Sequence, residues 1–191
     1  MRMLVPALLT LVALSTAPPE PTAPAPNPLA ALEPLLGTWG VPADVVAQRP
    51  ELAGRVVHDY AWTVGENALC VREGYTGADA ETAELQGLVV WHPAEERIEL
   101  VAVAGHGEGQ GRLFQGVYRA LDDGRIEREY EVFYRSAADM PGEELGGISR
   151  RYREVYAVDG DRLEATLEWW RDGRWQPFGP GRYALERRTG E

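Results

Sequence analysis

The sequence predicts an all-β fold: a single up-and-down antiparallel barrel of about ten strands, with short N-terminal helical segments. Three observations carry this. Turn signals, among them Gly65-Glu66-Asn67, Asp122-Asp123-Gly124 and Asp159-Gly160-Asp161, recur at strand-length intervals. The segments between them alternate apolar and polar residues, the period of a half-buried strand. Ahead of them stands Leu36-Gly37-Thr38-Trp39-Gly40. A glycine two residues before a tryptophan suits the first strand of a small closed barrel. Gly37 lets the backbone bend, and the Trp39 indole plugs one end while its N–H seeks a carbonyl.

The 191 residues suffice for one domain with a full core, and 45% hydrophobic with 26% charged residues is an ordinary globular balance. A net charge of −11 argues against a nucleic-acid partner, whose phosphates need clustered cations. All 19 basic residues are arginine, so Schiff-base chemistry on a lysine is excluded. Cys70 stands alone, which rules out an intrachain disulfide. With no base near it in sequence, it reads as a small buried hydrophobe.

Residues 1–17 read as an export signal: Arg2, an apolar run over 4–14, then Ser15-Thr16-Ala17 for cleavage. The run is shorter than the roughly 18 residues that suggest a membrane span, and no cysteine follows it to carry a lipid. No stable membrane insertion is expected once the signal is removed. Residues 18–28 alternate proline with Ala, Thr and Glu, the composition of a stiff spacer, and the barrel domain runs over 29–191. A short helix is expected over 43–49, ended by Pro50. Strands are expected over 55–64, 68–75, 84–91, 97–104, 112–121, 125–135, 148–158, 162–171, 175–178 and 182–188. If each reverses the last, the tight turns at 65–67, 93–96, 122–124 and 159–161 gather at one end. The looser loops at 76–82, 105–111 and 136–147, with segment 41–54, gather at the other. One end is closed and the other can open, which is the layout of a cup.

Leu36-Gly37-Thr38-Trp39, an exported N-terminus and a meander of about ten strands together resemble the calycin superfamily of lipocalins, fatty-acid-binding proteins and nitrobindin-like barrels. The helical insertion after the first strand is similar to the portal lid of the fatty-acid-binding proteins. Segments 85–121 and 159–178 resemble bacterial lipocalin-like domains of uncharacterised function, with a Trp-ended strand, a glycine-rich reversal and a late Asp-Gly-x-Trp turn. The resemblance spans 29–188 and implies a barrel that binds a small molecule. Two family features are missing. The Arg-x-Tyr pair that holds a fatty-acid carboxylate is here Arg182 next to Tyr183, which face opposite sides of a strand. The late histidine of the haem barrels has no counterpart, since the last histidine is His106; no haem is expected.

His92 and His106 lie about one strand apart, on the order of 25 Å, too far to share a metal. No cofactor is expected. His106, between glycines at the open end, is a candidate ligand contact. In 125–135, parity sets Glu127, Glu129 and Glu131 on one side and Arg128, Tyr130 and Tyr134 on the other. Unpaired carboxylates need water, so Arg128, Tyr130 and Tyr134 point inward. Trp169 points inward on 162–171, with Leu163, Ala165 and Leu167. In 148–158 the inner face is taken as the one bearing Arg150, Tyr152, Glu154 and Tyr156. Ligand-binding candidates are thus Arg128, Tyr130, Tyr134, Arg150, Tyr152, Glu154, Trp169 and His106, with Gly37 and Trp39 as the structural plug.

An inward arginine needs an acidic partner, water or a ligand anion. Either Arg128 holds the anionic head of a ligand, or Arg128 or Arg150 pairs with Glu154 and fills the barrel. No nucleophile elbow, phosphate-binding loop or metal-ligand spacing is present, so no catalytic residue is assigned. The leading expectation is an exported, non-enzymatic barrel that binds a small amphipathic molecule, anionic ones included. The alternatives are a barrel enzyme using Tyr, Arg and Glu for acid–base chemistry, as a cyclase, isomerase or hydrolase does, and a filled structural barrel of the cell envelope.

Overall fold

The computed structural model of the chain describes residues 26–76, 84–105, 111–134 and 149–188. The export signal, most of the proline spacer, His106 and the loop at 136–147 lie outside the described residues. Ten strands form one closed antiparallel barrel in sequence order. They are β1 (Gly37–Gly40), β2 (Arg55–Thr63), β3 (Ala68–Thr76), β4 (Leu85–His92), β5 (Arg97–Gly105), β6 (Gly111–Ala120), β7 (Ile126–Tyr134), β8 (Ser149–Asp159), β9 (Arg162–Arg171) and β10 (Arg174–Arg187). Closure falls to the four residues of β1, where Trp39 pairs with His58 of β2 and with Arg187 of β10. Among the described residues every strand pairs with a neighbour on both sides.

Alternation sorts the side chains into an inner and an outer set. On β7 it holds without a break: Ile126, Arg128, Tyr130, Val132 and Tyr134 are buried, while the residues between them keep contact with water. Outside, the β7 glutamates meet arginines of the neighbouring strands, Arg119 with Glu127 at 2.8 Å and Arg151 with Glu129. Such exposed pairs contribute at most about 1 kcal/mol each, so they solubilise the wall more than they hold it. Gly116 faces inward opposite Tyr130, where an added Cβ would collide with the Glu129 carbonyl and with Tyr130 itself. The missing side chain is what admits the Tyr130 ring, which stacks on Phe114 at 5.9 Å.

The tight-turn end is plugged by more than an indole. Pro28–Leu35 forms a 3-10 helix. Its three-residue period puts Leu29, Leu32 and Leu35 on one buried face. Asn27 caps it by accepting the Leu29 N–H at 3.0 Å, and its amide donates to the Glu66 carbonyl in the β2–β3 turn at 3.1 Å. Trp39 is fully buried against this helix, its indole N–H donating to the Leu35 carbonyl at 2.8 Å. Arg187 of the last strand lies over the ring at 4.2 Å. Gly37, at φ +103°, makes the bend that brings the chain from the helix into the wall.

Three expectations are corrected. The segments 175–178 and 182–188 belong to one strand, β10, whose pairing with β9 jumps between Pro177 and Arg182. The intervening Phe178-Gly179-Pro180-Gly181 bulges, and Phe178 folds inward against Tyr152 and Trp169. The short helix α1 (Ala43–Gln48) buries no side chain and has its Ala43 N–H on Glu186 at 3.2 Å. A lid would bury an apolar face over the mouth, and α1 buries none, so the portal-lid likeness does not hold. Cys70, between buried Leu69 and Val71, faces outward and is half-buried.

Candidate functional site

Midway along the barrel the core turns polar. Register does the placing: Arg128 lies opposite Tyr118 on β6 and Glu154 on β8, and His58 lies opposite Glu73 across β2 and β3. From β7 the Arg128 guanidinium reaches across the interior. Its Nε donates to Glu154 Oε2 at 2.8 Å, Nη2 to the same oxygen, and Nη1 to Glu73 Oε1. Tyr118 accepts from Nη1 at 3.4 Å, and its hydroxyl lies 3.1 Å from that of Tyr60. Tyr156 donates to Glu154. His58 Nδ1 sits 3.2 Å from Glu73 Oε1, at ion-pairing distance but out of line for a hydrogen bond. His58 Nε2 is 3.1 Å from the Tyr183 hydroxyl.

Two carboxylates therefore face one guanidinium, with the His58 imidazole beside Glu73. Burial on its own would raise the Glu73 carboxyl, but the charge and hydrogen bonds of Arg128, with the His58 ring close beside it, outweigh it and hold the group at about 2. Arg128 moves the other way: burial disfavours its charge, yet Glu154 and Glu73 raise its pKa well above the usual value. Burial pushes the hydroxyls of Tyr60, Tyr118, Tyr156 and Tyr183 up, so all four act as neutral donors or acceptors.

Above this layer, away from the plug, lies an aromatic one. Tyr130, Val132, Tyr134 and Tyr152 are buried together against Phe114, Leu167, Trp169 and Phe178. Tyr130 stacks on Tyr152 at 5.5 Å, and the hydroxyls of Tyr134 and Tyr152 are 3.2 Å apart. Four arginines face the rings: Arg150 and Arg171 over Trp169 at 5.2 and 5.4 Å, Arg112 over Tyr134 at 5.6 Å and Arg128 over Tyr130 at 4.8 Å.

A cavity of about 290 Å³ opens where the ends of β3, β5 and the starts of β4, β6 meet, the end opposite the plug. Val57, Leu85, Ala104 and Phe114 give it apolar walls, and His58, Glu73, Glu154 and Tyr183 a polar floor. Arg55, Glu84 and Arg112 stand at its rim. A wider groove of about 410 Å³ runs over the outer faces of β8, β9 and β10. It touches only Tyr183 of the buried polar set, so the smaller cavity is the better site despite its size. Its volume is at the low end of the roughly 300–1,000 Å³ typical of small-molecule sites.

The structure splits the residues singled out from the sequence into two groups. Arg128 and Glu154 belong to the polar network; Tyr130, Tyr134, Arg150, Tyr152 and Trp169 belong to the aromatic layer. Gly37 and Trp39 lie at the plug. Arg128 is 2% exposed and already grips Glu73 and Glu154, so of the two outcomes left open it takes internal pairing. A ligand anion at its guanidinium would meet two carboxylates. Sequence reasoning missed His58, Tyr60, Glu73, Tyr118 and Tyr183. The parity signal was there: His58, Tyr60 and Trp62 alternate on β2, as Leu69, Val71 and Glu73 do on β3. Among the described residues no three His, Cys, Asp or Glu side chains are grouped to hold a metal ion. No family model, curated protein or solved structure matches the chain.

Proposed function

We propose that this protein is an exported, calycin-like barrel that binds a small amphipathic molecule in the cavity beside Phe114, without transforming it. One observation carries the reading: an open cavity whose walls are apolar and whose floor is a built, buried polar network. An apolar pocket with a few converging polar groups is the usual form of a small-molecule site. The closed pairing of Arg128 speaks for packing in the middle of the barrel, and the space above it speaks for binding. Export rests on Arg2, the apolar run over 4–14 and Ser15-Thr16-Ala17. The calycin likeness is supported by ten-strand closure and by a first-strand tryptophan capped from the last strand.

The test is displacement of anilinonaphthalene sulfonate by cell-envelope extracts, with native mass spectrometry of the protein that is loaded. Ala104→Phe, which fills the wall, is expected to abolish probe binding while the circular-dichroism spectrum stays unchanged. Undiminished binding by that variant would put the site elsewhere.

A second reading, acid–base catalysis, is favoured by one specific arrangement. Glu73, His58 and Tyr183 line up as carboxylate, imidazole and hydroxyl on the floor of the cavity. Turnover of a bound compound that disappears in His58→Gln, with binding retained, would move the conclusion to an enzyme.

A further inference from the structure

The cavity's rim carries Arg112, a cation that no carboxylate among the described residues answers. Arg112 starts the inward face of β6, opposite Tyr134 of β7 and Ala104 of β5. Its Nε is shut off from solvent and has no hydrogen-bond partner, and no carboxylate among the described residues pairs with it. The other cations around the cavity are engaged: Arg128 by Glu73 and Glu154, and Arg55 by Glu84 at 3.6 Å. A buried donor left unmade is costly, more so on a charged group.

We infer that Arg112 is the anchor for an anionic head group, and that the cavity's ligand is a small organic monoanion with an aryl or short alkyl body. This rests on the cavity reading above. The guanidinium lies 5.6 Å over the Tyr134 ring, and a guanidinium's planar set of donors matches a carboxylate. Directly across the strands from Arg112 run Ala104 and then Leu85, and Phe114 follows on the same face of β6. All four line the cavity. A molecule held by its acid at Arg112 therefore lays its body on Ala104, Leu85 and Phe114. Its far end meets His58 and Tyr183, groups suited to a hydroxyl or carbonyl substituent. A cationic head would instead be repelled by Arg112 at the rim, and the floor carboxylates that would attract it are already held by Arg128.

The experiment is isothermal titration with two probes that differ in charge and little else, naphthoate and the neutral naphthylmethanol. Wild type, Arg112→Gln and Arg55→Gln are compared at neutral pH and low salt. Wild type is expected to prefer naphthoate by about ten- to a hundredfold, the contribution of one charge-assisted hydrogen bond. Arg112→Gln should lose that preference and keep its affinity for the alcohol; Arg55→Gln should keep the preference. Because it removes the shut-off Nε donor that has no partner, Arg112→Met should also raise the melting midpoint of the free protein. Equal binding of both probes by wild type, or a preference that survives Arg112→Gln, would overturn the anchor and leave the cavity standing. Binding of neither probe would sink the cavity reading itself.

Discussion

At the scale of single residues, the account turns on Arg128 and Glu73. Strand parity was enough to aim Arg128 inward, because three consecutive outward positions of β7 carry glutamate. It could not name the partners, since Glu73 comes from β3, on the far side of the interior, and that meeting depends on barrel closure. Removing the guanidinium strands the buried Glu154 carboxylate and the half-buried one of Glu73. Arg128→Ala is therefore expected to destabilise the fold by about 3–5 kcal/mol, read as a lower urea midpoint. Glu73 supplies a pH signature. Its folded-state value of about 2 lies below its usual 4.5, so the unfolded chain binds the extra proton between those values. Its contribution is complete above pH 4.5 and is lost as pH falls through 2. Urea midpoints taken across that window should decline for wild type. Glu73→Gln should be weaker at neutral pH and show a shallower decline, and an unchanged slope would mean the carboxylate is not held as described.

At the scale of elements, most boundaries were legible and the exceptions share a cause. Hairpins with Asp-Gly turns declare themselves locally, as at Asp122-Asp123-Gly124 and Asp159-Gly160-Asp161. The 3-10 helix over Pro28–Leu35 did not, because Pro34 sits inside it and only burial of Leu29, Leu32 and Leu35 under the barrel justifies its geometry. The bulge in β10 was read as a break for a similar reason. Gly179-Pro180-Gly181 looks like a terminator until Phe178 is seen to fill the space beside Trp169. Trp39 joins these ends of the chain, touching the helix through the Leu35 carbonyl and β10 through Arg187. Trp39→Ala should cost about 3–5 kcal/mol. A denaturation midpoint unmoved by that change would show that the plug does not hold the barrel closed.

At the scale of the whole molecule, the barrel is divided along its axis into a plug, a polar floor and an aromatic-lined upper layer. The division explains how one chain can be both stable and hollow. The apolar plug supplies the core, and the charge network is answered internally by its own side chains. That leaves open space above it, beside Phe114 and Arg112. The cup layout was readable from the order of tight and loose connections, whereas the position of the floor within the cup was not, because it depends on stagger between strands far apart in sequence.

The most direct test of the central claim is an NMR chemical-shift map of the full chain titrated with naphthoate. The expected result is a saturable set of shifts at Leu85, Ala104, Arg112, Phe114, His58 and Tyr183, with Leu29, Leu32 and Trp39 unmoved. Shifts confined to the outer groove over Val155, Ala157 and Thr166, or none at saturation, would contradict it.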